Sequence, residues 1–560
     1  MVAKNDGRAV SRMNQVLGRL KTRDALPYLL LVLIGLFSLG MKLSTIQVGA
    51  PYVTIDDQTM YEGGFLVWFG QAPPQRMYLE SWISGITSIA TYVAMHAGEG
   101  NLGGVNLIAE AYRDFKVNPD PYVTSYRSVM LLVDLATAIL VFLLGRQIFR
   151  NSACRDWIAA LAAIFYLLSF NTLWSFVVAR PDTLTAFLAV AGLYLYYRSD
   201  FGNRRGALLG SGAVLGLATG MKLHGAFFVI FICLDMWRVW GFIEAFRRVF
   251  AFVCLSLLGF VIAAGSLLFD PTLYVKLRLL NARDDASPWL EWGDQFITML
   301  RGTGWLIIPV LLGTVWYART RGYWQQNQRL ASVIFIALCW LVLFSLLRVL
   351  RAYWMLPALP LFYLVAAYGV VNIQWKPVKL SASVLIVLVL AVQLIQEARS
   401  FRAVPFDELR AWFQNSVQAQ EPVYVLGHNA VNLPLNTTAI RNHQRVVESG
   451  KAAAIAAGEP FTQRHIRLWE ERAALQTFNM LNSKSEVGFN YYGYFGTPPE
   501  AFNAIYPFEE VRYILKQEHF DLTNEVALAE VLASDYKPIA TLIGPGGGGN
   551  GLSYTVYRRN

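Results

Sequence analysis

Hydrophobic and polar positions follow one another along this chain in long blocks, not in short alternations. A basic stretch with Lys4, Arg8, Arg12, Arg19, Lys21 and Arg23 precedes an apolar run from Ala25 to Gln47. That run has about the 20 residues an α-helix needs to cross a hydrocarbon core. It is too long for the apolar core of a signal peptide and no small-residue cleavage site follows, so it predicts a retained first span. Further runs predict spans at 123–145, 157–178, 182–198, 206–221, 223–238, 249–269, 303–318, 330–348, 353–373 and 379–397. The expected fold is an α-helical polytopic membrane protein of about eleven transmembrane helices.

The polar blocks set a topology. With the N-terminus cytoplasmic, the basic groups Arg146/Arg150/Arg155, Arg198/Arg204/Arg205, Arg238/Arg247/Arg248, Arg319/Arg321/Arg329 and Lys376/Lys379 all fall inside. The short outer turns hold only Arg180, Lys222, Arg348 and Arg351, as the positive-inside rule requires. An odd number of spans then leaves the C-terminus outside. Two outer loops are long, 48–122 and 270–302, and Met77–Ala97 within the first reads as an amphipathic helix lying on the membrane face.

Beyond residue 398 the pattern turns soluble. Helical stretches (Phe406–Gln418, Phe461–Leu481) alternate with short apolar runs (Val423–Leu426, Val511–Leu515, Ile539–Ile543), which predicts an extracytoplasmic α/β domain over 399–560. The chain therefore divides into a cytoplasmic tail (1–24), a transmembrane domain (25–398) and this domain. Composition agrees: 55% hydrophobic and only 15% charged, against about 25% charged in a soluble protein. A soluble enzyme, a disordered chain and a disulfide scaffold are excluded. The net charge of +10 is scattered at helix ends, so it predicts membrane lipids and no nucleic acid as a partner.

Candidate chemistry gathers at the outer ends of the predicted spans. Asp56 and Asp57 lie just past the first span, five and four residues before Tyr61 respectively. Adjacent carboxylates at a bilayer need a partner or a task, and a carboxylate beside a hydroxyl can act as its general base; an exposed acidic helix cap is the alternative. Arg180-Pro181-Asp182 fills the next short outer turn, where Pro and Asp are ordinary helix starters. Lys222 and His224 sit at an outer break in an apolar hairpin, where a snorkelling Lys is the plain reading. Arg351 and Tyr353 open a late span. Cations and a phenol at one membrane level suit a phosphate whose lipid tail lies in the bilayer. Asp134 is a charge within the second span, matched either by a task or by a polar group on a neighbouring helix. The glycine-rich 544–551 stretch precedes a strand and not a helix, so it predicts a flexible hairpin loop. Asn436-Thr437-Thr438 matches a glycosylation acceptor, a common triplet.

Taken in order, these motifs resemble the GT-C glycosyltransferases that use polyprenyl-phosphate sugars, a family including protein O-mannosyltransferases and the aminoarabinose transferase of lipid A. Asp57-Gln58-Thr59-Met60-Tyr61 stands where the family has Asp-Glu-x-x-Tyr, with Gln58 in place of Glu and Asp56 available from the other side. Arg180-Pro181-Asp182, the stretch 215–222 ending in Lys222, and 351–360 with its Tyr353 and two prolines are similar to later family motifs. The resemblance covers about residues 25–400. It implies transfer of a single sugar from a polyprenyl monophosphate to an extracytoplasmic acceptor hydroxyl, on a glycan, lipid or protein, with inversion. Asp57 would be the base, with Asp56 beside it, and Lys222, Arg351 and Tyr353 would hold the leaving phosphate, with Arg76 and Arg283 as weaker candidates. Tyr61, Arg180, Asp182 and His224 would line the cavity. A monophosphate leaving group is neutralised by Lys and Arg, so no metal and no cofactor beyond the lipid-linked donor is expected. The expected location is the inner membrane of a bacterium. A transporter or flippase of lipid-linked glycans is the alternative; it would show repeated halves and broken helices at mid-membrane.

Overall fold

The structure is a computed structural model that describes residues 22–46, 61, 63–65, 67–68, 79–97, 107–177, 180–264, 292–322, 327–346, 352–402, 406–426, 436–457, 490–493, 499–518, 520, 522, 526–543 and 553–560. Its N-terminal part is helical: α1 Thr22–Leu43, α2 Leu79–Met95, α3 Leu107–Val117, α4 Asp120–Ile148, α5 Arg155–Leu168, α6 Phe170–Val177, α7 Asp182–Arg198, α8 Arg205–Met221 and α9 Gly225–Ala263. Then come α10 Trp292–Thr303, α11 Ile307–Thr320, α12 Gln328–Leu346, a 3₁₀ turn Ala352–Met355, α13 Leu359–Val371 and α14 Lys376–Arg402. Among the described residues five helices are long and apolar enough to cross a membrane, or up to six if a bent pair counts as one span. The other predicted spans are helical but shorter.

Four boundaries depart from the sequence reading. The 157–178 run breaks at Ser169, whose ψ of 127° is extended, giving α5 and α6. The 303–318 run starts four residues later, at Ile307, and residues of the predicted 270–302 loop form α10 instead. α10 meets α11 at 89°, turning at Gly304 and Trp305, both at positive φ (93° and 21°). The 353–373 run enters its helix only at Leu359, after the 3₁₀ turn and Pro357. Within the predicted 48–122 loop, α2 and α3 are both helical, and α2 buries a mainly small, polar face. It buries Ser81, Ser84, Ser88 and Thr91 and turns Ile86 outward. Small polar residues let helices approach closely where lipid, not water, bathes the outer face.

The runs at 223–238 and 249–269 become the two arms of α9. Helical geometry is lost between them at Gly241 (φ 72°, ψ 169°), a left-handed conformation that glycine adopts without a Cβ penalty. The contacts show that the chain folds back there. Gly225 abuts Ala218 and Thr219 at one end of α8, whereas Trp240 Nε1 donates to the Phe201 carbonyl (2.8 Å) at the other end. The second arm then runs parallel to α8. A Cβ on Gly212 would lie 2.5 Å from the Phe252 carbonyl oxygen, one on Gly216 would overlap that of Ser256, and one on Gly220 would lie 2.6 Å from Ala263 Cβ. The sequence reading did not use this Gly-x-x-x-Gly spacing, a recognised signal of close helix contact in membranes.

Buried charge fixes the remaining helices. Lys42 Nζ of α1 meets Asp134 Oδ2 of α4 at 2.5 Å, both essentially inaccessible (0% and 1%), so the Asp134 carboxylate has its partner on a neighbouring helix. On α9, buried Asp235 accepts from Tyr196 (2.8 Å), from Arg238 Nη2 (2.6 Å) and from Ser332 of α12. At the same end of the bundle Asp200 accepts from Arg329 (2.5 Å), whose other nitrogen bonds the Gln147 carbonyl (2.6 Å).

After α14 come α15 Phe406–Ser416, β1 Val423–Leu426, α16 Thr437–Ala457, β2 Tyr491–Gly493, α17 Pro499–Ile505, β3 Tyr513–Gln517, α18 Val526–Asp535, β4 Tyr536–Leu542 and β5 Tyr554–Arg559. The sheet order is β2-β1-β3-β5-β4, with β1 parallel to β2 and β3, and the rest antiparallel. Leu409 and Phe413 cover one face over Val425 and Leu515; Phe502 and Leu528 cover the other over Tyr424 and Ile514. This is the α/β unit expected from the sequence. The 461–481 helix and the 544–551 loop lie outside the described residues, although the strands flanking that loop do pair as a hairpin. Asn436 is 2% exposed and caps α16 through Oδ1 to the Ala439 N–H (2.8 Å), which leaves no room for a glycan.

Two outcomes follow from this packing. Gly216→Ala is expected to destabilise by about 1–3 kcal/mol, the usual cost of overpacking. Gly206→Ala, with open space around it, should be neutral or better; equal melting temperatures for the two would reject the close α8–α9 contact. Burial would raise the Asp200 carboxyl pKa, but the Arg329 hydrogen bond and the charges of Arg329 and Arg150 outweigh it and hold it below the ordinary value. A depressed carboxyl stabilises the fold above its unfolded pKa and loses that contribution as pH falls. The melting temperature of wild type should therefore exceed that of Asp200→Asn at pH 7, with the gap closing below about pH 4.

Candidate functional site

The end of the bundle opposite Asp200 and Arg329 collects the candidate residues that the structure describes. α7 begins there with Pro181 preceding it, whose fixed φ of −65° suits a helix start, and Asp182 occupies the first turn. α8 ends there at Met221, and Lys222 leaves helical geometry (φ −151°, ψ 129°) while its N–H still bonds the Ala218 carbonyl. These local breaks bring the two side chains together: Lys222 Nζ lies 2.5 Å from Asp182 Oδ1. Beneath them Leu184, Leu188, Ala218 and Met221 pack as an apolar floor, joined by Leu79 and Ile83 of α2.

The pair is asymmetric. Asp182 is 1% exposed and its Oδ2 has no hydrogen-bond partner, whereas Lys222 keeps 18% exposure. The ammonium has three N–H donors. One meets Asp182, so this is a cation already partly neutralised and not a plain snorkelling lysine. His224, two residues on, sets its ring 5.0 Å from that of Trp354 in the 3₁₀ turn. The late motif is thereby joined to the Lys222 turn through Trp354, a residue the sequence reading did not single out. Arg180 is half-buried two residues before Asp182.

Tyr61 is fully buried, edge-on to Tyr126 (5.3 Å) and near Phe115 (5.9 Å). Its ring packs its segment against α3 and α4. Next to Tyr126, Arg127 is also fully buried and donates to the Ile46 carbonyl (3.0 Å) at the end of α1. Sequence reading missed Arg127, and its signal was available: an arginine one turn inside an apolar span. Near the same end, Trp174 of α6 donates to Glu397 of α14 and Phe401 packs on the indole (5.1 Å). Arg410 of α15 reaches Asp120 at the start of α4 (3.9 Å), so the α/β domain follows at this end as well. Asp56, Asp57, Arg76, Arg283 and Arg351 lie outside the described residues, and of Tyr353 only the backbone is described.

No family model matches the chain, and no curated protein does. Among solved structures the chain is similar to ArnT from Cupriavidus metallidurans in the apo state, at 13% identity and a TM-score of 0.41, over 94% of this chain and 97% of that one. The same protein bound to undecaprenyl phosphate is similar over the same shares at a TM-score of 0.38.

The asymmetry of the ion pair makes a prediction. Lys222→Met leaves a carboxylate buried without its counter-charge, which costs on the order of 3 kcal/mol. Lys222→Met with Asp182→Asn removes both charges and should recover more than half of that loss. Thermal unfolding of the two variants checks this; a double variant no more stable than the single one would mean that the pair is not buried as described.

Proposed function

We propose that the protein is a membrane glycosyltransferase that transfers a single sugar from a polyprenyl monophosphate to an extracytoplasmic acceptor hydroxyl. The supporting observation is the convergence of the Arg180–Asp182, Lys222–His224 and 352–355 turns at one end of the bundle, bridged by the Lys222–Asp182 and His224–Trp354 contacts. Three separate sequence motifs of one glycosyltransferase family meet there. The donor's tail occupies the bilayer and its phosphate the level of Lys222.

In this reading the acceptor oxygen attacks the anomeric carbon from the face opposite the phosphate, so the configuration inverts. Asp57 takes the hydroxyl proton as the new C–O bond forms, and the bond to the phosphate oxygen breaks. The polyprenyl phosphate leaves with its charge met by Lys222, Arg351 and Tyr353, with Arg76 and Arg283 in support. Bringing both substrates to one site contributes much of the rate by itself. The bundle has about eleven spans in the inner membrane of a bacterium, with the N-terminus cytoplasmic and the α/β domain on the acceptor's side. No metal is needed for a monophosphate leaving group.

The test is turnover of Asp57→Asn and Asp56→Asn at matched expression, read as undecaprenyl phosphate released from a panel of undecaprenyl-phosphate sugars with envelope extract as acceptor. Asp57→Asn should lose about 10²–10⁴ in rate, the usual worth of a general base, and Asp56→Asn should lose less. A dead Asp56→Asn beside an active Asp57→Asn would move the base by one residue. Two active variants would end the glycosyltransferase mechanism.

A further inference from the structure

Ion pairs account for only part of the positive charge at the end of the bundle opposite Lys222. Asp156 takes Arg146 (2.8 Å) and Arg155 (3.6 Å), Asp200 takes Arg329 (2.5 Å) and Arg150 (3.6 Å), and Asp235 takes Arg238 (2.6 Å). Four further arginines, Arg204, Arg205, Arg247 and Arg248, make no ion pair among the described residues. Glu244, one turn before Arg248, is exposed and pairs with no cation among them either. Arg248 is nevertheless held in place. Its guanidinium lies 4.0 Å from the centroid of the Trp240 ring, and Nη2 donates to Asn203 Oδ1 at 3.5 Å. Trp240 is fixed in turn by its bond to the Phe201 carbonyl (2.8 Å). The arginine stem crosses Gly202, where a Cβ would lie 3.0 Å from Arg248 Cδ.

Arg248 is half-buried, and its Nη1 is enclosed without a hydrogen-bond acceptor. A partly desolvated cation met only by a ring face and one long hydrogen bond remains short of negative charge. Arg204 and Arg205 continue from the same turn and Arg247 precedes Arg248, all three exposed. Beside them the second arm of α9 turns an apolar stripe outward, with Phe242, Ile243, Phe246 and Phe250 each more than half exposed. The spacing of Phe242, Phe246 and Phe250 puts their rings on one helix face, and the last two stack at 6.5 Å. Leu257, Leu258 and Ile262 carry the stripe onward, so this arm presents hydrocarbon along its length and arginines at its start. An anionic headgroup with acyl tails matches both halves. A soluble anion would gain nothing from the stripe, and a zwitterionic lipid would bring a cation of its own among the arginines.

We propose that the 202–205 turn and the start of the second α9 arm form a binding site for an anionic phospholipid, with the Trp240-stacked Arg248 as its fixed phosphate contact and the phenylalanine stripe against its acyl chains. The site lies at the other end of the bundle from Lys222 and does not depend on the sugar-transfer reading. The full-length protein in detergent is titrated with phosphatidylglycerol and, separately, with phosphatidylcholine, and native mass spectrometry gives the affinity for the first bound lipid. Wild type should prefer phosphatidylglycerol by at least about twentyfold. Arg248→Gln should weaken phosphatidylglycerol about fivefold and Arg204→Gln/Arg205→Gln about twentyfold, the usual worth of one and of two basic side chains at an anionic headgroup. The double change is confined to exposed residues, so it decides alone should Arg248→Gln fail to fold. Arg248→Lys keeps the charge but not the planar fork or the stack, and should behave as Arg248→Gln does. Arg319→Gln, at an exposed arginine in the last turn of α11, should bind as wild type.

Equal affinity of wild type for the two lipids overturns the site and leaves ordinary bilayer contact. Losses in Arg319→Gln that match those in Arg248→Gln, or wild-type affinity in Arg248→Lys, overturn it in favour of diffuse surface charge. Inorganic phosphate that displaces phosphatidylglycerol at matched concentration would make this a free-anion site and overturn the lipid assignment.

Discussion

A carboxylate removed from water must be matched by a donor or cation, and inside this bundle the match comes from another part of the chain. That constraint organises this molecule. Asp134 takes Lys42 from α1, Asp182 takes Lys222 from the far side of α8, and Asp235 takes Tyr196, Arg238 and Ser332. The same rule holds for a buried cation: Arg329 takes the part-exposed Asp200 across 129 residues of sequence. Apolar packing brings the helices together, but lipid is as apolar as leucine, so packing alone gives little preference for one arrangement over another. The ion pairs supply that preference.

The second source of order is close approach. The glycines of α8 let the second arm of α9 lie almost backbone to backbone against it, and Gly241 lets the first arm return in the opposite direction. Three helical segments are thereby stacked in a fixed register. The turn between α8 and α9 that holds Lys222 and His224 is set by that stack, which places it against the start of α7 and the 3₁₀ turn before α13. The chemistry proposed for this end of the molecule thus depends on glycine contacts further down α8. Tyr61, Tyr126 and Arg127 perform a similar service for the segment after α1, holding its beginning and its end to adjacent residues of α4.

The sequence by itself determined where most of the helices lie, because a block of twenty apolar residues is a local property that needs no partner. It also gave the α/β character of the last 160 residues and the motifs that carry the proposed chemistry, since Asp, Lys and Arg beside apolar runs stand out wherever they fall. Its errors lie where a local signal has two physical outcomes. The 77–97 stretch reads as an amphipathic helix on the membrane face, and α2 turns mainly serines and Thr91 inward, with Ile86 outward. The breaks at Ser169, Gly304 and before Leu359 depend on what the neighbouring helices leave room for. Partnership was decided only by the tertiary structure. That Asp134 belongs to Lys42, that Lys222 is already held by Asp182, and that Trp354 joins His224 are contacts between residues 40 or more positions apart. No periodicity encodes them, because the free energy of a buried charge depends on what the fold sets beside it.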